Sequence, residues 1–182
     1  MVELASASDA VAEALRSRAH TRIPLVQGGE RDEDARRLLS IPGISLFPKA
    51  REPQAAAAGL ALYLNCWSRA HEIAQDLDQR EGSYWHAIVH RMEPDAWNSG
   101  YWFQRVGRHP IFTALQSRAE DIVRSNPESG IILRREWDPK AFIEICESAH
   151  RQSGSPLERA AMEIQFAEWE LLMHWCAEPI SA

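Results

Sequence analysis

The chain has 182 residues, 45% hydrophobic and 25% charged, with a formal net charge of −6. That length suits one well-cored domain and that composition a soluble globular protein, while the acidic balance argues against a general binder of nucleic acid or of anionic membranes. No apolar run approaches the roughly 20 residues of a membrane span, and the N-terminus lacks the basic start and apolar core of a secretory signal, so the sequence predicts a cytoplasmic protein.

In chain order, Val11, Ala12, Leu15 and Ala19 predict a first helix over 9–19, capped by Ser8 or Asp9. Residues 22–30 contain Pro24 and Gly28-Gly29 and read as a turn. A short helix over 32–40 is anchored by Ala35, Leu38 and Leu39. Residues 41–53 carry Pro42, Gly43, Pro48 and Pro53, too many breakers for one regular element; Ile44, Leu46 and Phe47 are expected to pin this stretch across the core. One long helix is predicted over 54–77, because Leu60, Tyr63, Trp67, Ala70, Ala74 and Leu77 recur at alternating steps of three and four. His71 lies at the edge of that stripe, where a satisfied core histidine is the simpler reading than a functional one.

The densest chemistry lies at 83–110, SYWHAIVHRMEPDAWNSGYWFQRVGRHP, which holds three of the seven histidines and three of the seven tryptophans. Pro94 disfavours helical geometry at Glu93, so one helix is predicted to end near Met92. A second helix is expected with Pro94 in its first turn and Gly107 as its stop. His86 and His90 are four residues apart and project from one face of the first. Trp97, Tyr101 and Arg105 share a stripe on the second, with Asn98 and Trp102 beside it.

A helix over 110–125 uses Phe112, Leu115, Ala119, Ile122 and Val123 as its apolar face and stops at Asn126-Pro127. Ile131-Ile132-Leu133 has no partner strand and reads as an extended connection. Asp138-Pro139 opens a helix to about 152, and Ser155-Pro156 opens the last, to about 177. That last helix is apolar on two sides, which belongs in the middle of a bundle. Glu163, Glu170 and His174 form a third stripe on it, and buried carboxylates there would need Arg91 or Arg105 as partners. Cys66, Cys146 and Cys176 sit far apart in helical apolar patterns and read as buried, reduced thiols. The expected fold is all-α: a single-domain helical bundle of seven or eight helices, with 1–53 as an irregular or helical arm and 54–178 as the core.

Three chemistries suit the 83–110 segment. His86 and His90 have the spacing of two imidazole ligands of a divalent metal. Ala87 follows the first where the zinc-protease pattern needs Glu, and Glu147 to His150 is the one Glu-x-x-His pair where a di-iron bundle needs two. A mononuclear site remains, with a third ligand from Glu93, His109, Glu170 or His174. Acid–base catalysis is a second, since histidines beside Glu93 and Asp95 suit proton transfer. The third, and leading, reading is a pocket for a small anionic or planar molecule, lined by His86, His90, Arg91, Glu93, Asn98, Tyr101, Trp102, Arg105 and His109. Arg91 and Arg105 would clamp its anionic group between aromatic faces. The rival to all three is a polar-aromatic core in a structural or interaction protein.

The motifs WSRAHEIAQ (67–75) and GSYWHAIVHRMEPDAWNSGYWFQRVGRHPIF (82–112), with Leu-Tyr-Leu at 62–64, also carry a resemblance. They resemble a group of uncharacterised bacterial proteins of about this length. The resemblance covers roughly residues 60–115 and implies a family but no activity, so it assigns no role to any residue.

Overall fold

The structure is a computed structural model that describes residues 2–18, 23–29 and 32–179. Among the described residues it is all-helical, with ten α-helices, one 3-10 turn and no strand. No helix is long and apolar enough to cross a membrane. The helices are α1 (Asp9–Ser17), α2 (Glu33–Leu39), α3 (Gly43–Leu46), α4 (Pro53–Tyr63) and α5 (Trp67–Gln75). They continue with α6 (Arg80–Met92), α7 (Ala96–Val106), α8 (Phe112–Ser125), α9 (Pro139–His150) and α10 (Pro156–Ala177), and the 3-10 turn is Pro127–Ser129. Ala19 and the ends of the turn expected over 22–30 lie outside the described residues.

Local chemistry sets most of the starts. Ser8, Asp32, Asp95, Asp138 and Ser155 each accept a hydrogen bond from an otherwise unpaired first-turn N–H. Pro53, Pro139 and Pro156 occupy first turns, where a missing N–H costs nothing. Pro94 does not: it lies in the turn before Asp95, which caps α7, and Asp95 N–H closes back on the His90 carbonyl at 2.9 Å. Gly107, at φ 60°, ends α7 in the left-handed region that only glycine enters cheaply.

The single helix expected over 54–77 is two. After Tyr63 the chain turns through Asn65, at φ 57°, and Cys66 N–H bonds the Ala61 carbonyl at 2.8 Å. Asn is among the few residues that tolerate the left-handed conformation, so the turn needs no glycine. The apolar steps run on unbroken through it because both helices bury that stripe. This break, and α3 within the stretch expected to be irregular, bring the count to ten rather than seven or eight.

After its first two residues α4 lies inside, buried from Ala55 to Tyr63, and packs against α5, α6 and α10. Its alanines and Gly59 let large neighbours close in: Trp169 Nε1 donates to the Gly59 carbonyl at 2.8 Å, and Tyr63 stacks on Trp169 at 4.7 Å. Trp85, Trp169 and Phe47 are completely buried, each contributing roughly 1.5–3 kcal/mol by leaving water. The N-terminal third is stitched to this core. Ser8 N–H reaches the Leu46 carbonyl, and the N–H groups of Arg51 and Glu52 reach the carbonyls of Glu178 and Cys176 at the end of α10. Leu46 and Phe47 are buried as expected, but Ile44 is 56% exposed and pins nothing. α5 packs on both α4 and α6, and α7 folds back along α6. That places the α5, α6 and α7 side chains discussed next beside one another.

Candidate functional site

α5 and α6 bring three imidazoles together. His86 and His90, one turn apart on α6, stack with ring centroids 4.7 Å apart. His71 on α5 meets them edge-on, at 4.7 and 5.2 Å. One ring nitrogen from each of the three lies within 4.8 Å of the other two. Two indoles wall the cluster: Trp67 stacks on His71 at 5.4 Å and Trp102 of α7 on His86 at 4.1 Å. Trp67 is itself fixed by its N–H, which donates to the Val89 carbonyl at 3.2 Å.

His86 is 4% exposed, and neither of its ring nitrogens has a hydrogen-bond partner among the described residues. A neutral imidazole offers one donor and one acceptor, and leaving a buried polar group unpaired costs about 1–3 kcal/mol. Burial, then the neighbouring His90 and His71, hold its pKa down at about 3, so at neutral pH it carries a free lone pair. Burial lowers His71 as well, with His90 adding to the effect. His90 is held differently. Its Nδ1 lies 3.1 Å from Glu93 Oε2, at the C-terminal cap of α6. A proton shared on that side leaves Nε2 with a free lone pair, the arrangement by which carboxylates orient histidines that bind metals. His90, Glu93 and Asp95 form a second group of ligand atoms within 4.8 Å of one another. Both Asp95 oxygens are engaged by Asn98, Oδ1 by its N–H at 3.1 Å and Oδ2 by its side-chain amide at 2.6 Å. The Asn98 backbone bond is the main reason the Asp95 carboxyl titrates low.

The remaining predicted residues are dispersed. Arg91 is buried and paired with Glu168, and Nη2 also donates to Gln165 Oε1 at 3.3 Å. Arg105 is exposed, 5.0 Å over the Trp102 ring, and makes no ion pair among the described residues. The two arginines therefore form no clamp. The reason is helical phase: Arg91 follows His90 directly and so leaves α6 about 100° round from it. Neither arginine serves Glu163 or Glu170, which take Asn126 and Arg118 instead. His109 is buried 3.5 Å from Glu81, and His174 faces Glu178 at 4.0 Å. Of the four third ligands expected, only Glu93 adjoins the cluster. The third imidazole is His71, which the sequence reads as core. Its one signal was a position on the polar edge of its stripe.

Tyr101 lies at the surface, parallel to Trp97 at 6.2 Å and edge-on to Trp102 at 5.5 Å. With Trp97 and Gln104 it forms one wall of a groove of about 580 Å³ whose other wall is Lys140, Glu144 and Glu147 of α9. Two carboxylates against one lysine do not suit an anion. No family model, curated protein or solved structure matches the chain.

Proposed function

We propose that the protein binds one divalent transition-metal ion through His71, His86 and His90, with Glu93 orienting His90. The small molecule expected from the sequence would then be taken at that ion rather than between arginines. One observation carries the reading: His86 is buried with both ring nitrogens unpartnered among the described residues, beside two further imidazoles. A metal ion supplies the missing partner. Nitrogens about 2.0–2.1 Å from a tetrahedral ion stand about 3.3 Å apart, a spacing that small side-chain rotations reach from the observed cluster. Three neutral nitrogens suit zinc, iron, nickel or copper better than magnesium or calcium, which take oxygen donors.

The motifs at 67–75 and 82–112 contain all three imidazoles, so the proposal extends to the uncharacterised bacterial group they resemble. The same reading takes the ten helices as one bundle. It places the protein in the cytoplasm, with Cys66, Cys146 and Cys176, all buried and none in a disulfide, as thiols of a reducing compartment.

Protein purified without an affinity tag should hold near-stoichiometric metal. His86→Ala and His71→Ala should each abolish it, and His109→Ala should not. Restoring metal to the stripped protein at about a hundredfold excess over its Kd should add about 2.7 kcal/mol and raise the Tm by roughly 5–10 °C. Metal-free protein whose melting no divalent ion alters would retire the proposal.

A further inference from the structure

We infer that the bound metal keeps one exchangeable coordination position, open to water or a small anionic ligand. This rests on the metal site proposed above and adds that it is a working site rather than a closed structural one.

The donor inventory leads there. The cluster supplies three ligands, all imidazole. Structural zinc sites are closed by four protein donors, whereas sites with three protein ligands hold water or substrate in the fourth position. Among the described residues, the carboxylates beside the cluster are already engaged in hydrogen bonds. Glu93 Oε2 is spent on His90 Nδ1, and both Asp95 oxygens are spent on Asn98. The flanking groups are the indoles of Trp67 and Trp102, whose N–H groups can only donate and which have no lone pair to ligate with. Cys146 and Cys176 are buried beside Arg91 and Glu81 instead, and the Cys66 thiol is directed to the Leu64 carbonyl at 3.7 Å.

The cluster is not sealed. His71 and Asp95 are half-buried and the Glu93 side chain is 40% exposed, so the cluster meets solvent along the edge that these residues form. Charge decides the class of ligand. Three neutral imidazoles bring a divalent ion no charge of their own, while Glu93, Asp95 and Glu72 act on the rings from outside the three ligands. The open position suits water, a small anion or an oxygen donor on a substrate.

The experiment uses the full chain, stripped by chelator and loaded with Co(II), whose visible bands report its coordination, and then titrated with azide. One cobalt per chain should bind, and azide should shift the bands to saturation at one anion per cobalt. His86→Ala should bind no cobalt. Glu93→Gln, a change at a positioning residue, should keep both cobalt and the azide response while weakening cobalt binding by about 10–100-fold. Cobalt bound with bands that azide leaves unmoved would overturn the inference and leave the metal site standing. Failure to bind cobalt would overturn both. An azide-inert spectrum that becomes responsive only in Glu93→Gln would show that Glu93 fills the fourth position, and would overturn the inference as well.

Discussion

Arg91 is the neighbour of a candidate ligand, yet its work is in the core. Its side chain is 1% exposed and that of its partner Glu168 is wholly buried. Glu168 also accepts from the Tyr84 hydroxyl at 3.0 Å, and the guanidinium lies 4.7 Å over the Phe142 ring. A buried pair of this kind adds little over an apolar replacement, but breaking it strands a charge. Arg91→Met should therefore cost on the order of 3–5 kcal/mol by urea denaturation. Adding Glu168→Gln, which removes the stranded charge, should recover part of that loss. A single mutant within about 1 kcal/mol of wild type would show that water reaches Glu168. The sequence pointed to partly buried carboxylates at Glu163 and Glu170, which are half-buried, but missed Glu168, which is wholly buried and takes Arg91. α10 is buried nearly all round, so hydrophobic periodicity marks no single inner face on which to place the charge.

At the scale of elements, two helical glycines test how closely α4 must approach its neighbours. A methyl group on Gly59 would sit 2.6 Å from Trp85 Cζ2 and 3.0 Å from Met173 Sδ, both fixed in the core. Gly100 in α7 has open space at the same position. Gly59→Ala should destabilise by roughly 1–3 kcal/mol through overpacking. Gly100→Ala should stabilise by about 0.5–1 kcal/mol through helix propensity alone. Denaturation midpoints moving the same way in both would contradict the packing described for α4. The elements themselves were largely legible, because Asp138-Pro139, Ser155-Pro156 and Gly107 punctuate the chain by local sterics and capping. The break between α4 and α5 was not. Leu60, Tyr63, Trp67, Ala70 and Ala74 keep the step of one helix, and only tertiary packing puts Asn65 into a left-handed turn. Missing that break hid the site, since a straight helix gives no reason to bring His71 to α6.

Across the whole molecule, the start of α6, the α7–α8 connection and the end of α10 converge on Glu81. His109 Nε2 lies 3.5 Å from its carboxylate, and the Trp175 indole N–H donates to it at 2.8 Å beneath the Arg51 guanidinium. The His109 contact, outweighing burial and helped by Trp175, brings the Glu81 carboxyl down to about 2. A depressed carboxyl favours the fold above its ordinary pKa of 4.5, and that contribution drains away as pH falls from there through about 2. Glu81→Gln should thus cost up to about 3 kcal/mol near neutrality, and about 1 kcal/mol less at about pH 3.5 than at about pH 6. Urea midpoints for both proteins at the two pH values measure this, and a cost that ignores pH would place the stabilisation in packing instead. The turn at Asn65 has a consequence of another kind. His86 and His90 travel together on α6 and are neighbours as soon as that helix coils, but the third imidazole arrives only when the separate helix α5 has docked. An ion held by all three therefore fastens two segments that the chain could otherwise part. On the proposed reading, full coordination would be a property of the finished fold alone, and occupancy of the site would count completed molecules.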